Sequence, residues 1–305
     1  MFIEQGVNEN NKFWKYLLGM LSIAGASFVG QMPMLVMVLF QTVFNGKRYP
    51  ASDDELLHFF EPNLNLFLLL LSYVVALGGI YFVVRFLHQQ SFISIITSRE
   101  RIDWKRVCFS FFLWGVFTIV SIFITYALNP SDFEMNFQPI PFLILFTIAT
   151  LLIPVQTTVE ELIFRGYLMQ GFANVLKNRW FPLLMTSTIF GLLHLSNPEV
   201  SKLGNIMMVY YIGTGLLLGI MTLMDEGMEL ALGFHAANNL IGALLVTSDW
   251  SAFQTYSIFK DISEPEVGFD IIFPVLVIYP VLLIIFDRKY NWSNWIEKLS
   301  GSLDK

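Results

Sequence analysis

The chain has 305 residues, of which 55% are hydrophobic and only 14% charged, and its mean hydropathy is +0.61. A soluble domain carries roughly a quarter charged residues, so this composition excludes an ordinary soluble protein. The net charge of −6 and the pI of 5.2 argue against nucleic acid as a partner, because nucleic-acid binding requires a basic surface.

Long uncharged segments indicate that the chain folds within lipid. Residues 64–84 and 107–128 contain no charged side chain, and each is close to the ~20 residues that a helix needs to cross a ~30 Å hydrocarbon core. A β-barrel would instead show alternating strands of ~10 residues. The sequence therefore predicts an all-α, polytopic membrane protein surrounded by membrane lipids.

The first uncharged segment follows Lys12 and Lys15 and extends from Tyr16 to Asn45. It is much longer than the ~7–15-residue core of a signal peptide, so we expect a retained, long first helix. In chain order, the apolar segments predict about eight helices at 16–44, 64–86, 107–128, 140–158, 181–195, 203–224, 230–247 and 270–286. The fourth helix is expected to continue to about Gln170, and the fifth is short.

The distribution of basic residues predicts the orientation. If the N-terminus is cytoplasmic, the inner segments hold Lys12, Lys15, Arg85, Arg99, Arg101, Lys105, Arg106, Arg165, Lys177, Arg179, Arg288, Lys289, Lys298 and Lys305. The outer segments then hold only Lys47, Arg48, Lys202 and Lys260. This asymmetry predicts two cytoplasmic termini and an even number of spans. We expect one membrane domain over 1–305, with 287–305 as a cytoplasmic interfacial tail.

The stretch "TVEELIFRG", residues 158–166, places three charged side chains at the end of an apolar segment. Charged groups inside a membrane are costly and often functional. Glu161 and Arg165 are four residues apart, so they share a helical face and can pair. Glu160 is turned away by ~100°, which leaves its carboxylate available to face a cavity and to act as a general base.

Two later helices carry the other intramembrane polar groups. "IFGLLHLSN" (189–197) places Phe190 and His194 on one face, and "GFHAANNLIG" (233–242) does the same for His235 and Asn239. If these helices are neighbours, a carboxylate and an imidazole could polarise a water. Another imidazole and an amide could then donate hydrogen bonds to an oxyanion. Taken singly, each residue is also compatible with structural pairing or interhelical hydrogen bonding.

The sequence lacks several motifs that are typical of other enzyme classes. The sequence contains no H-E-x-x-H zinc motif and no P-loop. "GASFVG" (25–30) is not a G-x-S-x-G nucleophile elbow, which weakens a serine hydrolase interpretation. "GTGLLLG" (213–219) lies inside an apolar segment, so we interpret it as a close-packing helix face rather than a phosphate loop.

Three motifs in order resemble the CAAX protease and bacteriocin-processing (CPBP, or Abi) family of intramembrane endopeptidases, which is related to type II CAAX prenyl proteases. "EELIFR" (160–165) is similar to its E-E-x-x-x-R motif, "FGLLH" (190–194) to F-x-x-x-H, and "HAANN" (235–239) to H-x-x-x-N. The resemblance covers about residues 140–247. It implies about eight helices around a membrane-embedded catalytic cavity.

The resemblance also implies roles for individual residues. Glu160 and His194 would activate the hydrolytic water, while His235 and Asn239 would stabilise the oxyanion. Glu161 and Arg165 would be supporting residues, and Phe190 would shape the cavity. Family members are described both as glutamate-type proteases and as metalloproteases. We favour a mechanism without a cofactor, and the alternative is zinc held by Glu160, His194 and His235.

The expected substrate is a hydrophobic or lipidated peptide or protein. The short loops suggest a bacterial plasma membrane, and the position of Glu160 along its helix suggests access from the cytoplasmic side. A second hypothesis is a non-catalytic peptide-binding or bacteriocin immunity protein with the same cavity. A third is a proton-coupled transporter, which would be expected to show inverted repeats with interrupted helices in both halves; the polar residues here lie in the second half.

Overall fold

The computed structural model describes residues 1–7, 11–265 and 268–303. Its principal helices are α1 (Phe13–Asn45), α3 (Pro62–Phe82), α4 (Trp104–Leu128), α5 (Pro139–Glu161), α6 (Met169–Leu176), α7 (Trp180–Leu192), α9 (Met207–Asp225), α10 (Glu229–Leu245) and α12 (Tyr279–Tyr290). Short helices are α2 (Asp53–Leu57), α8 (Pro198–Leu203), α11 (Phe269–Phe273) and α13 (Trp295–Ser300). Three π-helical segments are π1 (Val83–Leu87), π2 (Leu162–Leu168) and π3 (Pro274–Ile278).

Local signals explain where several of these helices begin. The Glu61 carboxylate accepts hydrogen bonds from the first backbone N–H groups of α3, and Pro62 occupies the first turn, where its missing N–H costs nothing. Asp103 caps α4 in the same way through the Lys105 N–H. Pro139 begins α5. The predicted continuation of the fourth helix is confirmed, because α5, π2 and α6 form one helical rod over 139–176.

Within the described residues, six helices are long and apolar enough to cross a membrane: Phe13–Asn45, Pro62–Leu87, Trp104–Leu128, Pro139–Leu176, Met207–Asp225 and Ile271–Tyr290. The all-α, polytopic prediction is therefore confirmed. The shorter helices α7 and α10, of 13 and 17 residues, pack among the long ones. A total of eight spans stays a prediction. The first helix is long, as predicted, at 33 residues.

The connecting segments gather on two opposite faces. One, here called the terminal face, contains the described segments 1–7, 88–103, 177–179, 226–228 and 291–303. Isolated β-bridges join Thr97 to Gly227 and Asn178 to Ser302. Ion pairs from Arg99 and Arg106 to Asp225 hold the segments together at 3.2 Å. Both ends of the described chain thus lie on the same side of the helices, as an even number of spans requires.

The other, here called the sheet face, contains 46–61, 129–138, 193–206 and 246–265. It carries a three-stranded sheet of order β1 (Phe133–Met135), β3 (Phe259–Asp261) and β2 (Val246–Ser248). Strand β3 pairs antiparallel with β1 and parallel with β2. The sequence analysis did not predict this sheet. Its strands have three residues each and come from loops far apart in sequence, so none shows an alternating pattern long enough to identify.

Glycines allow α7 and α9 to approach closely. A Cβ built on Gly215 would lie 2.9 Å from both Cα and the carbonyl oxygen of Ser187, and one built on Gly191 would lie 2.4 Å from Ile212 Cγ1. The predicted close-packing role of "GTGLLLG" is confirmed. This contact determines how far α7, which carries Phe190 and precedes His194, lies from the rest of the site.

We expect Gly215→Ala to lower the free energy of unfolding by roughly 1–3 kcal/mol, because the added methyl must displace the α7 backbone. Thermal unfolding of the detergent-solubilised protein measures this change. Gly78→Ala is the matched control in α3, since a Cβ there meets nothing within 4 Å. Equal melting temperatures for the two variants would contradict the close-packing assignment.

Candidate active site

The helix changes its winding within "TVEELIFRG". Helix α5 ends at Glu161 and continues without a break as π2, from Leu162 to Leu168. A π-helical turn inside a long helix often marks a functional site, because the wider winding redirects side chains. Here it follows directly after the two adjacent carboxylates.

Glu161 and Arg165 form a fully buried ion pair. Arg165 Nη1 donates to Glu161 Oε1 at 3.1 Å, and both side chains are 0% exposed. Arg165 Nη2 donates to the Gly215 carbonyl in α9 at 3.2 Å. The guanidinium also lies 4.5 Å from the centre of the Phe190 ring, a cation–π distance. The predicted pairing is confirmed, and it joins π2 to α7 and α9.

His235 lies between the two adjacent carboxylates. Its Nδ1 donates to Glu161 Oε1 at 2.8 Å, and its Nε2 lies 3.7 Å from Glu160 Oε2. A carboxylate can only accept a hydrogen bond, so the contact with Glu161 places a proton on Nδ1. The contact orients the imidazole and directs Nε2 toward Glu160.

Glu160 is the more accessible of the two carboxylates. Its side chain is 15% exposed, compared with 0% for Glu161. Gln156 Nε2 donates to Glu160 Oε1 at 2.7 Å, and the Tyr73 hydroxyl of α3 interacts electrostatically with this carboxylate. The helical-face argument from the sequence is thus confirmed: Glu161 pairs with Arg165, and Glu160 stays outside the pair.

A chain of side-chain hydrogen bonds leads from α4 to Glu160. Trp114 Nε1 donates to Asn238 Oδ1 at 3.1 Å, Asn238 Nδ2 to Asn239 Oδ1 at 3.1 Å, and Asn239 Nδ2 to Gln156 Oε1 at 3.4 Å. Gln156 then donates to Glu160. The indole N–H can only donate and the carboxylate can only accept. The two ends therefore determine the orientation of all three amides, and the Asn239 NH₂ group is turned toward α5.

His194 lies in the turn that follows α7. Its Nδ1 donates to the Phe190 carbonyl at 2.7 Å. The lone pair of the neutral ring is therefore on Nε2, where it can accept a hydrogen bond or a proton. The ring stacks on Tyr211 of α9, with centroids 4.3 Å apart and planes inclined by 22°. His194 also interacts electrostatically with Glu160.

Phe190 packs against the side chains of the site and does not line the cavity. It is only 3% exposed and contacts the rings of both histidines, with centroid distances of 4.8 Å to His194 and 6.0 Å to His235. Its predicted effect on cavity shape is therefore indirect: it supports the two imidazoles and Arg165, and is not part of the cavity wall.

A cavity of about 290 Å³ lies beside these groups. Its wall includes Gln156, His194 and Asn239. Glu160 lies one hydrogen bond behind this wall, through Gln156. The predicted residues from α5, α10 and the turn after α7 therefore converge beside one cavity.

The alternative zinc ligands are the side chains of Glu160, His194 and His235. Among the described residues, no three His, Cys, Asp or Glu side chains are arranged to hold a metal ion. In the described side chains Glu160, His194 and His235 do not form such a group, although the Nδ1 hydrogen bonds of His194 and His235 leave both Nε2 atoms free to coordinate. Zinc held by these three residues stays a prediction.

Four residues of the site were not predicted. Gln156 precedes Glu160 by four residues, so the spacing that identified the Glu161–Arg165 pair could also have identified it. Asn238 lies inside the H-x-x-x-N stretch, directly before Asn239. Tyr73 and Trp114 come from α3 and α4, and nothing in the local sequence distinguishes them from other aromatic residues in apolar helices.

Comparison with known proteins identifies the family. The family described as "Type II CAAX prenyl endopeptidase Rce1-like" matches residues 136–241, which include every predicted site residue. The uncharacterized protein YyaK of Bacillus subtilis (strain 168) is 30% identical over 248 residues, covering 81% of this chain and 82% of that protein. No significant match was found among solved structures. The chain belongs to the CAAX protease and bacteriocin-processing family.

Proposed function

We propose that the protein is an intramembrane endopeptidase that hydrolyses a peptide bond in a hydrophobic or lipidated peptide. One observation carries the proposal: a partly accessible carboxylate, Glu160, lies beside His235 and behind a cavity wall that contains His194 and Asn239. A non-catalytic binding protein would need the cavity, but it would have no need for an oriented carboxylate beside it.

The water would be activated between Glu160 and His194. The lone pair on His194 Nε2 accepts a hydrogen bond from one hydrogen of the water. The Glu160 carboxylate takes the other hydrogen as a proton while the water oxygen attacks the peptide carbonyl. Gln156 holds the carboxylate in place through a hydrogen bond, and the Tyr73 hydroxyl interacts with it electrostatically. The protonated carboxyl then donates the proton to the leaving amine, so Glu160 acts first as base and afterwards as acid.

Asn239 and His235 would stabilise the tetrahedral oxyanion. One hydrogen of the Asn239 amide is directed at Gln156, and the second is free to donate. When His235 carries a second proton, its Nε2–H is a further donor. Donors held in place before the reaction contribute most to such stabilisation, since they need not reorganise as charge develops.

The surroundings favour a hydrophobic substrate. The site lies among helices that are long and apolar enough to cross a membrane, whereas the cavity wall also contains amide, imidazole and phenol groups. An extended hydrophobic peptide could place its backbone among these groups while its side chains or lipid remain in apolar surroundings.

We expect Glu160→Gln and His194→Gln each to lower kcat by roughly 10²- to 10⁴-fold, the usual contribution of a general base. Cleavage of hydrophobic, internally quenched peptides by purified protein measures the loss. Glu134→Gln is the matched control, because this exposed carboxylate lies in β1 on the sheet face. Melting temperatures verify that the variants remain folded.

The same assay tests the binding-protein hypothesis. Cleavage that persists in either variant would overturn the proposed roles of Glu160 and His194. If the wild-type protein binds the peptides but releases them intact, the non-catalytic hypothesis is correct.

Removal of divalent metal should leave peptide cleavage unchanged, because Glu160, His194 and His235 are not arranged as a metal site. The measurement compares metal-depleted protein, verified by elemental analysis, with untreated protein. Activity that disappears on chelation and returns with stoichiometric zinc would instead support the metalloprotease alternative.

Trp114→Phe should lower kcat by about two- to tenfold with little change in KM, the effect of losing one ordinary hydrogen bond. The substitution retains an aromatic ring but removes the donor that orients Asn238. Trp292→Phe is the control, since its indole donates to Asp225 outside the candidate site. Equal kcat values for the two variants would contradict the positioning role of the amide chain.

A further inference from the structure

The cavity continues from the candidate site toward the sheet face. Beyond Gln156, His194 and Asn239, its wall is formed by Asn197 and Glu199 of one sheet-face segment and by Ser251, Ala252 and Phe253 of another. The backbone N–H of Ala252 donates to Glu199 Oε1 at 2.8 Å, so the two segments meet across the wall. We call this part of the cavity the mouth.

The mouth lies opposite the basic side of the protein. Within the described residues the sheet face holds only Lys47, Arg48, Lys202 and Lys260, and the terminal face and adjoining helix ends carry most of the other lysines and arginines. The positive-inside rule places the more basic side in the cytoplasm. The mouth therefore opens away from the cytoplasm. The position of Glu160 along its helix instead predicts cytoplasmic access, and the side of access stays a prediction.

Glu199 is the acidic group of the mouth. Its Oε1 is occupied by the Ala252 N–H, but its Oε2 is buried and has no hydrogen-bond partner among the described residues. The nearby Asn197 amide donates instead to the Tyr211 hydroxyl at 3.3 Å. The described residues that line the cavity include no lysine or arginine, so the protein itself supplies no cation to this carboxylate.

Burial changes the acid–base equilibrium of the Glu199 carboxyl. Loss of solvent raises the pKa of the Glu199 carboxyl, because the charged form is poorly hydrated there. A cation brought in by a ligand would restore the charged form and would give Oε2 the hydrogen bond that it lacks. A buried acceptor of this kind discriminates strongly between ligands that do and do not supply the donor.

We propose that the substrate peptide enters through this mouth from the extracytoplasmic side, and that Glu199 binds a cationic group on it. The ligand chemistry is an ammonium or guanidinium, which a lysine or arginine side chain or a free N-terminal amine supplies. The inference rests on the proposed endopeptidase function, since it assigns the substrate class of the same cavity. Hydrophobic peptides with a positive charge on the outer side of the scissile bond are the preferred substrates.

Binding is tested apart from cleavage in a Glu160→Gln background. Fluorescence anisotropy measures the Kd of three hydrophobic peptides that differ only by Lys, Gln or Glu at one position, each with a free or an acetylated N-terminus. Adding Glu199→Gln should weaken binding of the Lys peptide or the free amine by roughly tenfold or more and leave the acetylated Gln peptide unchanged. Glutamine keeps an oxygen for the Ala252 N–H, so the wall remains closed.

Asp249→Asn is the matched control. Asp249 is a sheet-face acid with a 76% exposed side chain that pairs with Lys260, so its loss should not change any of the Kd values. Equal weakening by Asp249→Asn and Glu199→Gln, or identical affinities for the Lys, Gln and Glu peptides, would overturn the assignment of Glu199. The acetylated and free peptides distinguish a side-chain cation from a terminal amine.

The direction of entry is tested with wild-type protein in proteoliposomes. Protease digestion of a C-terminal tag measures which face is outward, and a membrane-impermeant peptide is supplied from outside. Cleavage should occur only in vesicles whose tag is protected, because their sheet face is outward. Cleavage only in vesicles with an accessible tag overturns the proposed entry. Absence of cleavage even in detergent would contradict the endopeptidase function, while the anisotropy series still decides the role of Glu199.

Discussion

The arrangement of the site depends on a single buried carboxylate, Glu161. It accepts hydrogen bonds from Arg165 and from His235, and Arg165 in turn reaches the Gly215 carbonyl and the Phe190 ring. These contacts connect α5 and π2 with α7, α9 and α10. A buried ion pair is costly unless hydrogen bonds surround it, and removing one partner leaves an uncompensated charge. These contacts therefore fix the relative positions of the four helices, because moving any one of them would leave a buried charge without its partner.

The adjacent carboxylate is free for chemistry because Glu161 takes the structural role. One step along a helix turns a side chain by ~100°, which places Glu160 outside the ion pair and next to Gln156. The chain of hydrogen bonds from Trp114 to Glu160 can be donated in one direction only, since the Trp114 N–H can only donate and the Glu160 carboxylate can only accept. This direction extends to Asn239, whose free amide hydrogen is available to a ligand in the cavity.

The terminal face and the sheet face of the protein also differ in what they contribute. On the terminal face, Arg99 and Arg106 pair with Asp225, and Lys298 pairs with Glu226; such ion pairs connect the segments across the helix ends. On the sheet face, a small sheet and the Glu199–Ala252 contact surround a cavity that reaches the candidate site. One face thus stabilises the helix assembly, and the other offers a route to the site.

The sequence by itself determined the helices, the pairing of Glu161 with Arg165, and the side chains that meet at the site, because helix formation and i, i+4 contacts depend on residues close together in the chain. Only the tertiary structure decided that Tyr73 and Trp114 support Glu160, that Phe190 acts from behind, and that the cavity opens between the segments containing Glu199 and Ala252. These features join residues separated by tens of positions, and their geometry depends on how α3, α4, α7 and α10 pack around α5. Local sequence patterns describe which face a side chain occupies, but not which helix lies opposite that face.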